Sequence, residues 1–485
     1  MNTRHILLCL ALSLLGAGLQ AQNDLPQVFS PNAAELGKYG KIPVSYFNGL
    51  PNITIPLTEL RAKNYTLPIY LTYHAGGNKP DQHPGWVGLG WTLHAGGCIN
   101  RIVNVKKDEM SRVESIGITG DGIGHLYHSD EMSTYAGLNS VMNRIVSNWD
   151  DDDYAPDEFV INTDDIQASF YIVGEDDIRI VSKSNADFTV QFELETEPSN
   201  YPGLIIAEGY DGLGQYRSNK ANRYTYFKRF VVTGKDGTRY IFGGDDSAIE
   251  FSTTVKSFAT VDEYNRHWAA VATANTWYLK RIERPDGEVV FFDYAKEGKP
   301  MVLIDRHHGE YFHPLDEDVA ARIGYYDEST YRGNRYNSRY HMIFLQPSYL
   351  STIRSKQTGE TITFDRERSH ELSYEVTENQ FIQAVGDFST DGNTLGNLTF
   401  PVIQENDYYM RLTKIRSSAR PEKSIRFHHT DSFTRRLTLQ QIDFIASSPD
   451  NAYEYAFNYN ETNLLPPIMQ NKQIIGDITM AVHLK

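Results

Sequence analysis

Residues Pro84 to Arg101 read PGWVGLGWTLHAGGCINR, and the fold class turns on how this stretch is understood. Trp86 and Trp91 contribute two large apolar rings. Gly88, Gly90, Gly96 and Gly97 leave bare backbone around them, and Cys98 follows. Glycine costs backbone entropy, so such a concentration signals positive φ or a close approach of two backbones. Bulky rings beside bare backbone predict a turning corner of sheet packed under aromatics. Packing uses of these residue types outnumber binding uses, so the corner reads as structural and not as the lid of a pocket.

Working outward, the segment before the corner alternates at period two. Ile53, Ile55 and Leu57 alternate with Thr54, Pro56 and Thr58, and Tyr65, Leu67, Ile69, Leu71 and Tyr73 do so more cleanly. Each predicts a half-buried strand. Pro56 and Pro68 lack an N–H donor, which places them at sheet edges or bulges.

Beyond the corner, hairpins carry explicit turn chemistry. In FVVTGKDGTRYIFG, two apolar arms flank Gly234 to Gly237, and in WYLKRIERPDGEVVFFDY, Pro285-Asp286-Gly287 separates two aromatic-rich arms. Asp-Gly supplies the positive φ that tight turns require. A loose series of L-x-x-I pairs follows: Leu279 and Ile282, Leu350 and Ile353, Leu412 and Ile415, Leu439 and Ile442. An aromatic-bearing arm follows each, at Phe291-Phe292, Phe364, Phe427 and Phe457. A spacing of three puts two side chains on opposite faces of a regular strand. Either both faces are covered, or a bulge lies between the two aliphatics.

Helix signals are few. The best is Asp262 to Lys280, with Ala269, Ala270, Ala272 and Ala274, although the same stretch reads equally as a long loop. Ser199 to Asn222, rich in Gly, Tyr and Asn, reads as a loop excursion. The expected fold is therefore mainly β: antiparallel hairpins in a continuous strip of sheet, with irregular loop insertions, which the family resemblance given below implies is coiled. Its expected segments are a leader (1–21), an N-terminal β region holding the corner (22–107), a polar and acidic insertion (108–157), a β hairpin region (158–300), a β hairpin series (301–467) and a tail (468–485).

The chain has 485 residues, with 46 basic against 62 acidic. That balance argues against a nucleic-acid partner, which requires a basic footprint. An aromatic content of 12%, led by 31 tyrosines, favours sheet over helical bundle. Arg4, the apolar run Ile6 to Leu15 and the small residues up to Ala21 predict an export signal, too short to span a bilayer. Removal of the signal leaves Cys98 as the one cysteine, so an intramolecular disulfide is not expected and burial of the thiol is.

Four constellations could carry chemistry. Asp150 to Asp153 could hold Ca²⁺ but lack the spacing of a Ca²⁺ loop, so a solvated charge run is expected. His307, His308 and His313, with Asp305 and Glu310, match no zinc spacing. His428 and His429 are adjacent on a strand and point to opposite faces. His74, Asp81 and His83 lack an accompanying nucleophile motif. No P-loop or dinucleotide fingerprint occurs. The expectation is a protein without catalytic, cofactor or metal residues.

Several ordered segments together resemble one family, the N-terminal region of large RHS/YD-repeat proteins of Bacteroidetes, related to the Salmonella virulence plasmid B-protein and insecticidal toxin-complex shell proteins. The carriers are PNAAELGKYGKIPVSYFNGLPNITIPL (Pro31 to Leu57), LPIYLTYHAGG (Leu67 to Gly77), GWVGLGWTLHAGGCINR (Gly85 to Arg101) and APDEFVIN (Ala155 to Asn162) ahead of Ile178-Arg179-Ile180. The two Asp-Gly hairpins continue the order. The resemblance implies a β strip coiling into a hollow shell that encloses a cargo. Tyr-Asp repeats, a self-cleaving core and an effector, which lie downstream in the family, have no counterpart here. The expected function is that of a non-enzymatic, exported shell or scaffold protein. Expected partners are a downstream RHS/YD-repeat or toxin component, a cell-surface protein, or a second copy across an open sheet edge, with no nucleic acid and no membrane span. The alternatives are a secreted glycan- or surface-binding β module and, third, a metal-dependent hydrolase built on the histidine cluster.

Overall fold

The alternating patterns become strands. The computed structural model describes residues 51–76, 84–104, 106–110, 123–128, 134–146, 153–173, 179–182, 187–197, 204–210, 216–221, 224–258, 272–297, 305–309, 337–370, 409–432, 435–446, 452–459 and 480–484. The leader, Asp81, His83, Asp150 to Asp152, Glu310 and His313 lie outside them. Chain contacts group Thr54–Lys485 as one unit and Met1–Ile53 as another.

The first strands are β1 (Asn52–Arg61), β2 (Thr66–His74), β3 (Trp91–His94) and β4 (Gly97–Ile102). Two helices follow, α1 (His125–His128) and α2 (Tyr135–Val146). Then come β5 (Glu158–Thr163), β6 (Gln167–Val173), β7 (Arg179–Ser182), β8 (Phe188–Thr196), β9 (Leu204–Tyr210), β10 (Tyr216–Ala221), β11 (Thr225–Gly234), β12 (Arg239–Gly243) and β13 (Ile249–Phe258). The remainder are β14 (Thr273–Glu283), β15 (Val289–Ala295), β16 (Asp305–Gly309), β17 (Asn337–Gln346), β18 (Tyr349–Ser355), β19 (Thr361–Arg368), β20 (Met410–Ser417), β21 (Arg420–Ser432), β22 (Arg435–Ile445), β23 (Tyr453–Tyr459) and β24 (Met480–Leu484). The protein is mainly β, and every strand pairing with a resolved register is antiparallel.

A long strip runs β14–β15–β18–β19–β20–β21–β22–β23–β24, each strand paired to the next. Strand β14 is its branch point. Its first half pairs with β13 and β4, through Trp277 opposite Ile249 and Ile99. Its second half pairs with β12 and β15, through Ile282 opposite Tyr240 and Val290. One strand thereby joins the sheet of β4 to β7 to the hairpin strip, and Trp277 at the crossing is fully buried. Around it stand Phe159, Phe227 and Phe230, with ring centroids at 5.9, 6.4 and 4.9 Å. Burial of each such ring stabilises by about 2–3 kcal/mol, so this aromatic knot dominates the core.

The L-x-x-I pairs resolve into bulges. In β14 the register slips at Lys280, in β18 at Ser351, in β20 at Thr413 and in β22 at Gln440. Each slipped residue lies between the Leu and the Ile. One extra residue in the strand converts a spacing of three into two, so both aliphatics face the same side. All eight are buried, none more than 6% exposed. The following aromatics, Phe292, Phe364, Phe427 and Phe457, are buried as well.

Both Asp-Gly turns form as expected. Thr233 pairs with Arg239, Glu283 pairs with Val289, and Gly237 and Gly287 take φ of 80° and 85°. An added Cβ on Gly287 meets nothing within 4 Å, so only the backbone conformation opposes a side chain there. Gly287→Ala should therefore cost about 1–2 kcal/mol, read as a small shift of the urea midpoint with unchanged slope.

Three expectations require correction. Thr273 to Lys280 is strand and not helix, with Ala274 fully buried opposite Phe251 and Trp277 opposite Ile249, while Asp262 to Val271 lies outside the described residues. Alanine's helix propensity is a weak prior that tertiary packing overrides. The stretch 199–222 contains the hairpin β9–β10, with Tyr210 opposite Tyr216, where a loop excursion was expected. Pro68 lies on β2, the middle strand of the sheet β1–β2–β3, and not on an edge. It is tolerated because β3 pairs only with Tyr70 to Tyr73, leaving Pro68 beyond that ladder.

Candidate functional site

The Trp/Gly corner is clasped to the far end of the chain. Trp86 O accepts from Leu412 N at 2.8 Å, Leu89 N donates to Leu437 O at 2.9 Å, and Val87 O lies 2.9 Å from His429 Nε2. Gly88, at φ 124°, is forced by this approach, since a Cβ there would sit 2.8 Å from Leu439 N. Trp91 is 4% exposed between Tyr73 and Phe457, at 5.0 and 4.8 Å, and its Nε1–H donates to Tyr459 Oη at 3.0 Å. Trp86 is only half-buried, tilted against Tyr349 and Phe364. Gly90 lies against the Tyr73 ring, Gly96 against the Phe292 ring and Gly97 against the Asn162 carbonyl. Cys98 is half-buried and unpaired in a disulfide. Desolvation and then Glu250 push its thiol up to about 12, so it stays protonated and unreactive at neutral pH.

A second centre, not anticipated from sequence, lies at the neck of the excursion between β4 and β5. Arg101 is sealed, with its side chain and those of Glu109 and Asp157 at 0% exposure. Its guanidinium forks onto Glu109 (Nη1 to Oε1 2.9 Å, Nη2 to Oε2 2.5 Å) and bonds Asp157 through Nε at 2.7 Å. The Phe159 and Phe227 rings lie 5.4 and 5.5 Å from its centre. Asp108 and Asp157 bond reciprocally: Asp108 N donates to Asp157 Oδ2, and Asp157 N donates to Asp108 Oδ1, both at 3.0 Å. The excursion is further fastened by Lys107 Nζ on Thr225 O at 2.8 Å, Asn104 N on Asp157 Oδ1 at 2.7 Å and Leu126 N on Asp108 O at 3.0 Å. A buried charge costs several kcal/mol unless paired and bonded, so this network is a structural staple of high stakes.

The sequence signal for this centre was the inward position of Arg101. On β4 it alternates with exposed Asn100 and Ile102 and follows buried Ile99. A charged residue on the core side of a strand demands a partner. The partners, eight and 56 residues away, carry no such mark.

The remaining candidates separate. Asp153, expected to be solvated, is buried, because its carboxylate accepts from Lys106 N at 2.8 Å and Ala155 N at 3.0 Å. His428 reaches Asp443 at 2.7 Å and is half-exposed, whereas His429 is half-buried on Val87 O. Desolvation, aided by Arg411 and opposed by the bond to Val87, pulls His429 down to about 4, so it is neutral at physiological pH. His74 is exposed on β2, and His307 and His308 lie on β16. Among the described residues, no three His, Cys, Asp or Glu side chains converge to hold a metal ion, and no helix is long and apolar enough to cross a membrane. A cavity of about 570 Å³ is lined by Asp165, Phe188, Asp236, Tyr240 and Arg284. Its Asp165 is already engaged by Tyr240 Oη at 2.8 Å, and its Asp236 by Thr238.

No protein-family model matches the chain, and no curated protein does. Among solved structures it is similar to TcdB2-TccC3, at 12% identity over 86% of this chain and 16% of that one, with a TM-score of 0.34. It is similar to the Photorhabdus luminescens Tc holotoxin pore, at 12% identity over 85% and 16%, with a TM-score of 0.34. The N-terminal domain of effector protein SpvB from Salmonella typhimurium strain LT2 is similar at 11% identity over 90% of this chain and 99% of that one, with a TM-score of 0.31. The chain thus spans 16% of the length of the Tc chains that it matches.

Proposed function

We propose that the protein is an exported, non-enzymatic β scaffold of the RHS N-terminal type, a shell segment continued by a repeat-bearing or toxin-component partner. The observation that carries this reading is the strip β14 to β24, a run of bulged hairpins whose far strands are clasped by the Trp/Gly corner. Bulges bend and twist a strip, which is what a coiling wall requires. The ordered sequence segments that resemble the RHS N-terminal region support the same conclusion. The Arg101 cluster of titratable side chains is sealed and fastens the chain to itself, which favours a structural use over a catalytic one.

Two measurements test the proposal. Cell fractionation with N-terminal sequencing should find the chain outside the cytosol and beginning at Gln22; cytosolic protein retaining Met1 would overturn export. Size-exclusion chromatography with light scattering should find a stoichiometric complex with a YD-repeat protein of the same cells, or self-association that grows with concentration. A strict monomer under both conditions, coupled with glycan-array binding, would replace the scaffold with a surface-binding module.

A further inference from the structure

The neck cluster has an unbalanced charge inventory. Two cations, Arg101 and Lys107, and three carboxylates, Asp108, Glu109 and Asp157, act on one another there and are each no more than 7% exposed; a fourth buried carboxylate, Asp153, stands apart from them, held by Lys106 N and Ala155 N and acting on His125. Bare carboxylates would leave one uncompensated negative charge out of contact with water, at a cost of several kcal/mol. The bonding pattern shows where a proton relieves it. Glu109 is saturated by the Arg101 fork, and Asp157 accepts from Arg101, Asn104 and Asp108. Asp108 accepts at Oδ1 from Asp157 N, while its Oδ2 is buried with no hydrogen-bond partner among the described residues.

We propose that Asp108 holds this one proton at neutral pH, on Oδ2, and that the cluster is a pH-sensitive latch closing the neck of the excursion between β4 and β5. With the proton, Arg101, Lys107, Glu109 and Asp157 sum to zero and the neck is closed. Without it, Asp108 and Asp157 repel each other across their shared backbone bonds, and the segment carrying α1 loosens from the sheet. Leu126 N on Asp108 O and Asp153 N on Ile123 O, at 3.0 and 2.6 Å, are the bonds that would feel it first.

The titration agrees with the geometry. Desolvation and then Asp157 raise Asp108 from 3.8 to about 8, against the lowering effect of Arg101. Desolvation raises Asp157 as well, while Arg101 pulls Glu109 down against its own burial. The other titratable groups packed at the neck include His125, His128, Asp153 and Tyr154. His125 is lowered by desolvation, against its bond to the Tyr154 carbonyl and the charge of Asp153, so above its ordinary value of 6.5 it is neutral. The sign is then definite. Between about pH 4 and about pH 8 the folded state keeps a proton that the unfolded chain has released, so stability falls as pH rises through that window.

The test compares melting curves of the full chain and Asp108→Asn between about pH 6 and about pH 10. Asparagine mimics the protonated acid in shape and charge. The wild type should lose several degrees of melting temperature across the range. Asp108→Asn should lose little and should exceed the wild type at the alkaline end. An equal pH slope in both proteins would overturn the proposal, as would a variant destabilised to the same extent at every pH. Infrared difference spectra of the wild type supply a reading independent of the variant's folding. A buried protonated carboxyl band should be present at neutral pH and vanish on alkalinisation; its absence at neutral pH would equally sink the latch.

Discussion

Arg101→Met should lower the stability of the protein by about 3–5 kcal/mol, the range for removing one partner of a buried ion pair. The substitution keeps most of the aliphatic stem between Phe159 and Phe227. Lost packing is therefore the lesser term. The greater one is that Glu109 and Asp157 remain sealed without their cation. Against a typical domain stability of about 5–15 kcal/mol, such a loss separates soluble from insoluble protein. Urea denaturation followed by tryptophan fluorescence measures it directly. Arg101→Lys should recover only part, since an ammonium cannot reproduce the fork on Glu109 or the Nε bond to Asp157. Replacing Arg101 by Met and Glu109 by Gln together should cost less than the sum of the two single changes, because each single change orphans the other residue. Strict additivity would show that the two side chains do not form the coupled pair described.

Trp91→Ala should cost a comparable amount, about 3–5 kcal/mol, by leaving a cavity between Tyr73 and Phe457. Trp91→Phe should cost about 1–2 kcal/mol, because it fills most of the volume and loses the indole bond to Tyr459. Trp86→Ala should cost less than Trp91→Ala, since Trp86 is half-buried and its ring rests on Tyr349 and Phe364 from one side. This ordering distinguishes a packed corner from a pocket lid. Loss of a bound ligand with full stability retained in Trp91→Ala would reverse the assignment. The unfolding midpoint should also respond at a distance. Trp86 and Trp91 bond to Leu412 and Tyr459, and Leu89 between them bonds to Leu437, so losing the corner should increase hydrogen exchange in Leu437 to Leu439 as well as locally.

The two centres explain why the fold was legible in the chain to different depths. The class, the period-two strands, the Asp-Gly hairpins and the concentration of glycine at the corner are local. Each depends on residues within about ten positions of one another, whose side-chain alternation and turn chemistry act before any tertiary contact forms. The L-x-x-I pairs stood on the boundary. Their spacing stated that a bulge or a two-sided burial was present, and only the strand registers showed the bulge four times over. Thr273 to Lys280, the described part of the Asp262 to Lys280 stretch, departs from helix for the opposite reason. Ala272 and Ala274 favour helix in isolation but are fully buried, and Ala274 lies opposite Phe251 of another strand, a pairing that no local window contains.

By itself, then, the sequence determined a mainly β chain built of antiparallel hairpins, with a corner at Pro84 to Arg101 that only glycine and aromatic residues could make. Tertiary structure alone decided what that corner grips, because Val87 meets His429 across 342 residues. It also decided that Arg101, Asp108, Glu109 and Asp157 share one sealed site. Burial and charge pairing are properties of the assembled neck. A carboxylate reads the same in sequence whether it faces water or, as Asp108 does, a guanidinium and two other carboxylates away from solvent.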